Sequence, residues 1–283
     1  RFVSFGLVAV PLAWMERREF AHYTVKDWID VSKLGVIGNI AYYWCLIECI
    51  QNAGVPVAGM AMSAVPVLVA AVSNIRDKKK GTALAWSRLV PGLTLIVCGF
   101  ALASMTEFEM VVQASADGGL KFWYGVMMAV AALLIWTWYP IRNADWLLAH
   151  PDRSPRAWST AQGLTTFPFA VVMYFFFWGL EPDATPLLGY DPAWFVFVMV
   201  FSGLMGSWVG IVFWNAMSQR LPTALAGQMI VFETIFAVTY AHVLRMQWPE
   251  WNMLAGMALL LSGVMLSLKV FQTAKAQRRS ESV

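Results

Sequence analysis

Long stretches of this sequence carry little or no charge, and each is close to the length of one bilayer crossing. A hydrocarbon core about 30 Å thick takes about 20 residues of helix to span. Runs of that order cover Phe2–Met15, Leu34–Ala53, Val55–Asn74, Leu89–Thr106, Phe122–Ile141, Ala157–Leu180, Pro192–Gln219, Leu221–Val243 and Trp251–Val270. These are nine candidate spans, the first of them short. The runs are continuously apolar rather than alternating, which excludes a transmembrane β-barrel. With 59% apolar residues, 13% charged residues and a mean hydropathy of +0.59, the chain is too apolar for a soluble enzyme, a disordered chain or a nucleic-acid binder. Trp14, Trp86, Trp123, Trp158, Trp178, Trp248 and Trp251 fall near run ends, where an interfacial belt places them. The expected fold is all-α, a polytopic helix bundle in a lipid bilayer.

The net charge of +3 says little, but its distribution says much. With the loops numbered alternately, one side of the membrane receives Arg17, Arg18, Lys26, Lys33, Arg76, Lys78, Lys79, Lys80, Arg88, Arg142, Arg153, Arg156, Arg220, Lys269, Lys275, Arg278 and Arg279. The other side receives Arg1, Lys121 and Arg245. A bias of seventeen to three places the C-terminus in the cytoplasm and Arg1 outside. The outer loops are acidic, with Glu107, Glu109, Asp117, Glu181, Asp183 and Asp191.

The spacing of small residues repeats. Gly35-x-x-Gly38, Pro56, Gly92 and Gly99 are followed in the second half by Gly203-x-x-Gly206, Pro222, Gly256 and Gly263. Pro56 and Gly92 are 36 residues apart, and Pro222 and Gly256 are 34 apart. The expected organisation is a first unit at 1–106, an outer loop at 107–120, a second unit at 121–270 and a basic cytoplasmic tail at 271–283. The second unit holds five spans and the first four, so the partner of Phe122–Ile141 is expected to precede Arg1. Units of five spans have opposite topology, the inverted-repeat layout of many secondary transporters, whose substrate sites lie near the midplane.

Polar groups inside spans are costly and mark function or helix–helix bonding. Asn39, Ser63, Thr165, Thr166, Asn215 and Gln228 are uncharged polar groups at that depth. Either a zwitterionic substrate or a neighbouring helix satisfies each of them. Tyr42, Tyr43, Trp136, Tyr139 and Trp214 are candidates for lining an aromatic-tolerant path, with Trp136 and Tyr139 placed to gate the cytoplasmic end of their helix. Glu48 lies about a turn from the outer end of its helix. Glu233 lies halfway along its span, where it carries a proton, meets a substrate ammonium or bonds a neighbouring helix. Pro66, in mid-span, and Pro168 are the hinge candidates. Gly206-x-x-x-Gly210 is expected to serve packing within the fold. Cys45, Cys49 and Cys98 give no disulfide framework. Cys45 and Cys49 lack a histidine partner, so no metal and no cofactor is expected. The Lys and Arg residues all map to loops or span ends, which disfavours phosphorylated substrates.

Tyr42-x-x-Cys45-Leu46, Ile135-Trp136-x-x-Tyr139 with Asn143, Trp214-Asn215 and the paired Gly256 and Gly263 resemble the drug/metabolite transporter superfamily. The likeness is to its EamA-domain group, and within that group to the bacterial YddG-type amino acid exporters. That family usually carries a proline in the helix of Phe232 and Glu233, matching Pro66. Its absence here leaves the corresponding kink without its usual cause. The resemblance implies export of amino acids or similar small zwitterionic or neutral metabolites by alternating access. It implies a monomer in the bacterial inner membrane, with no nucleic acid and no enzymatic step. Efflux of lipophilic cations on the same fold, and a membrane scaffold with no transport path, are the alternatives.

Overall fold

A computed structural model describes residues 1–79, 84–105, 111–112, 114–115, 119–180, 186–246 and 248–281. Lys80, Glu107, Glu109, Asp117, Glu181 and Asp183 lie outside the described residues, as do the side chains of Lys79, Arg245 and residues 275–281. Among the described residues, eight helices are long and apolar enough to cross a membrane, and Phe2–Met15 is a shorter apolar one. In chain order they are α1 (Phe2–Met15), α2 (Val25–Ala53), α3 (Val55–Lys78), α4 (Trp86–Ala103), α5 (Gly119–Ala149), α6 (Pro155–Leu180), α7 (Pro192–Ser218), α8 (Thr223–Leu244) and α9 (Trp251–Ala274). The chain is thus a polytopic helical bundle, as the apolar runs require.

Local chemistry sets the helix starts. Thr24 and Asp27 form a reciprocal capping box at the head of α2. Asp191 accepts from the Trp194 backbone N–H at 3.1 Å, with Pro192 opening α7. Gly54 turns the chain from α2 into α3 at φ +92°, a conformation that suits a residue without Cβ.

Several expected spans begin or end elsewhere, two of them informatively. The run Phe122–Ile141 lies in a helix that continues to Ala149, because its last turns bury Ala144, Trp146 and Leu147 and so needed no apolar run. Trp136 and Tyr139 therefore sit well before the helix end, not at it. The run Leu34–Ala53 is preceded by helical Val25–Lys33.

Four spans are not regular α-helices. In α2 the segment Leu34–Ala41 is π-helical, and in α7 the segment Ser202–Val209 is too. Each has eight residues, with glycine second and fifth and a buried polar residue, Asn39 or Ser207, sixth. The spans α3 and α8 are interrupted once each, at Ala64 and at Met229.

The chain divides into two compact units. The first takes Arg1–Trp44 and Arg142–Arg220, and the second takes Cys45–Ile141 and Leu221–Val283. Each draws on both halves of the sequence.

In the first unit, α1 packs along α6. A Cβ on Gly6 would stand 2.3 Å from the Phe167 side chain, and one on Gly163 would stand 2.7 Å from Ala9. The first glycine of each π segment is also a point of close approach, Gly35 to Thr166 and Gly203 to Ser4. Gly206 and Gly210 are not. A Cβ at Gly206 meets nothing within 4 Å and one at Gly210 meets only its own helix, so the expected packing role of that motif is not realised.

In the second unit, α4 and α9 cross through paired glycines. A Cβ on Gly92 would lie 3.0 Å from the Gly263 carbonyl oxygen, and one on Gly99 would lie 2.8 Å from that of Gly256. Leu89, Leu93, Ile96 and Phe100 of α4 form a buried cluster with Leu260 and Val264 of α9 and with Ala224, Val231 and Ile235 of α8. Lipid is as apolar as these side chains, so close backbone approach and dispersion carry the association.

Candidate functional site

In the first unit the polar side chains at span depth meet one another. Asn143 of α5 donates to the Asn215 side-chain oxygen at 2.7 Å and accepts from Trp158 Nε1 at 2.9 Å and Gln162 Nε2 at 3.0 Å. Asn215 of α7 donates to the Ser159 hydroxyl at 2.8 Å. Asn39 of α2 donates to the Thr166 hydroxyl at 3.1 Å, which in turn donates to the Gln162 carbonyl at 2.7 Å. All of these residues are buried. Asn39 and Asn215 are therefore joined to their own unit, as helix-to-helix bonding would have it. Ser159, Gln162 and Trp158 escaped the sequence reading as site residues. Their signal was a polar stripe on α6, Ser159, Gln162 and Thr166, at helical spacing inside an apolar run.

Beside this network, Trp146 and Trp158 stack at 3.5 Å, and Trp146 Nε1 donates to Asp27 at 2.7 Å. Tyr23 packs on both indoles, with its hydroxyl buried and unpaired. Burial, with help from Glu19, pushes the Tyr23 phenol far above its ordinary range. Nearby, Arg156 pairs with Glu16, and Gln219 donates to the carbonyls of His150, Pro151 and Arg153 at 3.0 to 3.2 Å.

The remaining aromatic candidates of this unit divide. Tyr42 is buried and meets Tyr43 edge-on at 5.6 Å, while the Tyr43 hydroxyl accepts from the Arg1 guanidinium. Trp214 is half-buried with its indole N–H buried and unpaired. Pro168 lies inside an uninterrupted α6, so no break of that helix accompanies it.

In the second unit, Trp136 and Tyr139 stack face to face, with ring centres 5.2 Å apart and planes within 3°. Pro140 follows directly and has no N–H to give the Trp136 carbonyl. Ser63 donates to the Met60 carbonyl at 2.6 Å. The interruption of α3 falls at Ala64, so Pro66 is the second residue of the next segment, in a first turn where a missing N–H costs little, and does not kink the middle of a helix. The interruption at Met229 needs no proline. Gln228, just before it, is fully buried with both amide atoms unpaired. Glu233 lies in the first turn after it and is exposed.

One property is common to both units. The buried polar side chains at span depth are amides and hydroxyls, and no Lys or Arg is buried among the described residues. Among the same residues no three His, Cys, Asp or Glu side chains are grouped to hold a metal ion.

The comparisons agree with this architecture. Residues 1–105 match the EamA-like transporter family. The inner membrane protein YtfF of Escherichia coli (strain K12) is 35% identical over 273 residues, covering 95% of this chain and 84% of that protein. One solved crystal structure superposes with a TM-score of 0.69 at 16% identity, over 94% of this chain and 84% of that one, and so shares the fold. The chain belongs to the EamA-like transporter family.

Proposed function

We propose that this transporter is a secondary exporter in a bacterial inner membrane, moving amino acids or similar small zwitterionic or neutral metabolites out of the cytoplasm by alternating access. The observation that carries the substrate class is the chemistry of its buried polar groups. Among the described residues, those deep in the spans are uncharged amides and hydroxyls with no cation among them, and the buried carboxylates, Glu16 and Asp27, lie at span ends. A phosphorylated substrate calls for Arg or Lys at the site, whereas a zwitterion is matched by donors and acceptors of no net charge. Gln228 supports the reading. A buried amide with neither end paired costs about 1–3 kcal/mol, a cost that a substrate offering a donor and an acceptor relieves.

In the same reading, 1–106 and 121–270 are inverted repeats, the C-terminus is cytoplasmic and the protein works as a monomer. The matching π segments, the matching interruptions and the crossed glycine pairs support the repeat. The inner-membrane placement follows YtfF. Glu233 is the group for proton coupling, and the segments meeting at Ala64 and Met229 are the bending points.

Counterflow of labelled amino acids in proteoliposomes tests the substrate. Exchange of amino acids with no competition from lipophilic cations is the expected result. Counterflow of labelled lipophilic cations without amino acid exchange would move the assignment to drug efflux, and absence of both would leave a scaffold. For coupling, Glu233→Gln is expected to flatten the pH dependence of export. An unchanged rate and pH profile removes Glu233 from the mechanism.

A further inference from the structure

Two helices, α2 and α5, each serve both units. Arg1–Trp44 and Arg142–Arg220 belong to the first and Cys45–Ile141 to the second, so α2 changes unit after Trp44 and α5 after Ile141. The packing changes at the same places. In α2, Asp27 accepts from Trp146, Gly35 closes on Thr166 and Asn39 donates to Thr166, all within the first unit. Farther along α2, Cys49 and Ala53 are buried with Phe122 and Ala129 in the second. In α5, Ile141 is buried with Val65 and Val69 of the second unit. Asn143, two residues on, bonds Asn215, Trp158 and Gln162 of the first.

Each change of unit coincides with a fault in the α-helical ladder. In α2 the π-helical Leu34–Ala41 ends three residues before Trp44. In α5 Pro140 leaves the Trp136 carbonyl without its helical donor, one residue before Ile141. A third change, between Arg220 and Leu221, falls in the turn from α7 to α8. Prolines and π turns are where helices bend.

The faults that lie inside a unit are held by that unit on both sides. In α7 the π segment lies between Gly203, closed on Ser4, and Asn215, bonded to Ser159. Pro168 of α6 lies between Thr166, bonded to Asn39, and the buried Ala170. The interruptions at Ala64 and Met229 fall within the second unit, so they reshape that unit and do not turn one unit against the other.

We infer that α2 and α5 are the hinge helices of this transporter, bending at Leu34–Ala41 and at Trp136–Ile141 as the two units turn against each other. This rests on the alternating-access reading, which requires such a turn. A change of unit in an intact ladder would force backbone hydrogen bonds to break in every cycle, and at these two places the ladder is already open.

The test places spin labels at Asp152→Cys on the first unit and Lys78→Cys on the second, both exposed, with Cys45, Cys49 and Cys98 changed to alanine. In proteoliposomes the otherwise wild-type chain is expected to show two inter-label distances. Pro140→Ala restores the N–H and is expected to shift their ratio about fivefold, the worth of one backbone hydrogen bond. Pro168→Ala removes a mid-helix proline of the first unit and is expected to leave the ratio unchanged. For α2, backbone amides of 34–41 are expected to exchange with deuterium at least about tenfold faster than those of 202–209, the held π segment. A single distance in the wild type would overturn alternating access together with its hinges. Two distances whose ratio is unchanged in Pro140→Ala, or shifted as far in Pro168→Ala, would overturn the hinge in α5 alone. Equal exchange in the two π segments would overturn the hinge in α2.

Discussion

Asn143 on α5 and Asn215 on α7 share an amide hydrogen bond of 2.7 Å with both side chains wholly excluded from solvent. Asn143 is the hub. Its oxygen takes two donors, Trp158 and Gln162, while its nitrogen gives to Asn215, so three helices meet on one side chain. Truncating Asn143 to alanine strands these partners, each at about 1–3 kcal/mol before relaxation. Asn143→Ala is expected to lower the thermal midpoint in detergent more than Asn215→Ala, and the double variant to fall short of the sum. Additive losses would show that the two asparagines act separately.

The α4–α9 crossing depends on absent Cβ atoms. Gly99→Ala places a methyl 2.8 Å from the Gly256 carbonyl oxygen, and backbone cannot yield as a flexible side chain does. A loss of about 1–3 kcal/mol is expected from such overpacking. Gly59→Ala is the control, because nothing lies within 4 Å of the added methyl. There the helix gains from alanine, by about 0.5–1 kcal/mol. Opposite shifts of the thermal midpoint in the two variants are the check.

Tyr23 gives the protein a dependence on alkaline pH. Its phenol is raised in the folded state, chiefly by burial, with Glu19, Asp27 and Glu16 adding to the rise and Arg153 opposing it. A raised pKa means the folded state holds the proton more firmly, so this stability is fully present below about pH 10, the unfolded value, and is lost as pH climbs toward the folded one. Tyr23→Phe removes a hydroxyl that is buried and unpaired, which costs little at neutral pH. The difference in midpoint between wild type and Tyr23→Phe is expected to be small at pH 8 and to shift in favour of the variant above pH 10. A constant difference across that range would contradict the buried phenol.

How far the sequence disclosed these features depends on what kind of force shapes each. The spans were legible because lipid demands apolarity of every residue that faces it, and a demand made of each residue separately leaves a mark in composition. The end of α5 was not, since Trp146 and Leu147 are buried by protein beyond the apolar run. The π segments differ from α-helix by one slipped register of the backbone ladder, which no residue type announces. Only the glycines at their second and fifth places hinted at them. The interruption at Met229 is likewise silent, having neither glycine nor proline at the break itself. Of the candidate site, Asn39 and Asn215 stood out singly as polar residues at depth. That they share Thr166, Ser159 and Asn143 with other helices is a tertiary fact, and single residues do not encode it.

Gln228 brings stability and transport into opposition. Its carboxamide is wholly buried, with neither nitrogen nor oxygen bonded, at the end of the first segment of α8. In water or in a completed network that amide would be satisfied, so this conformation carries the cost of leaving it bare. Leucine fills nearly the same space without polar atoms. Gln228→Leu is therefore expected to raise the thermal midpoint, by the equivalent of about 1–3 kcal/mol. If the amide is there to meet substrate, the same variant loses counterflow while folding better, and Gln228→Asn, whose amide is one methylene short, retains a fraction of it. A more stable Gln228→Leu protein that transports at the wild-type rate would take Gln228 out of the substrate path. A less stable one would show that the amide finds its partner within the protein.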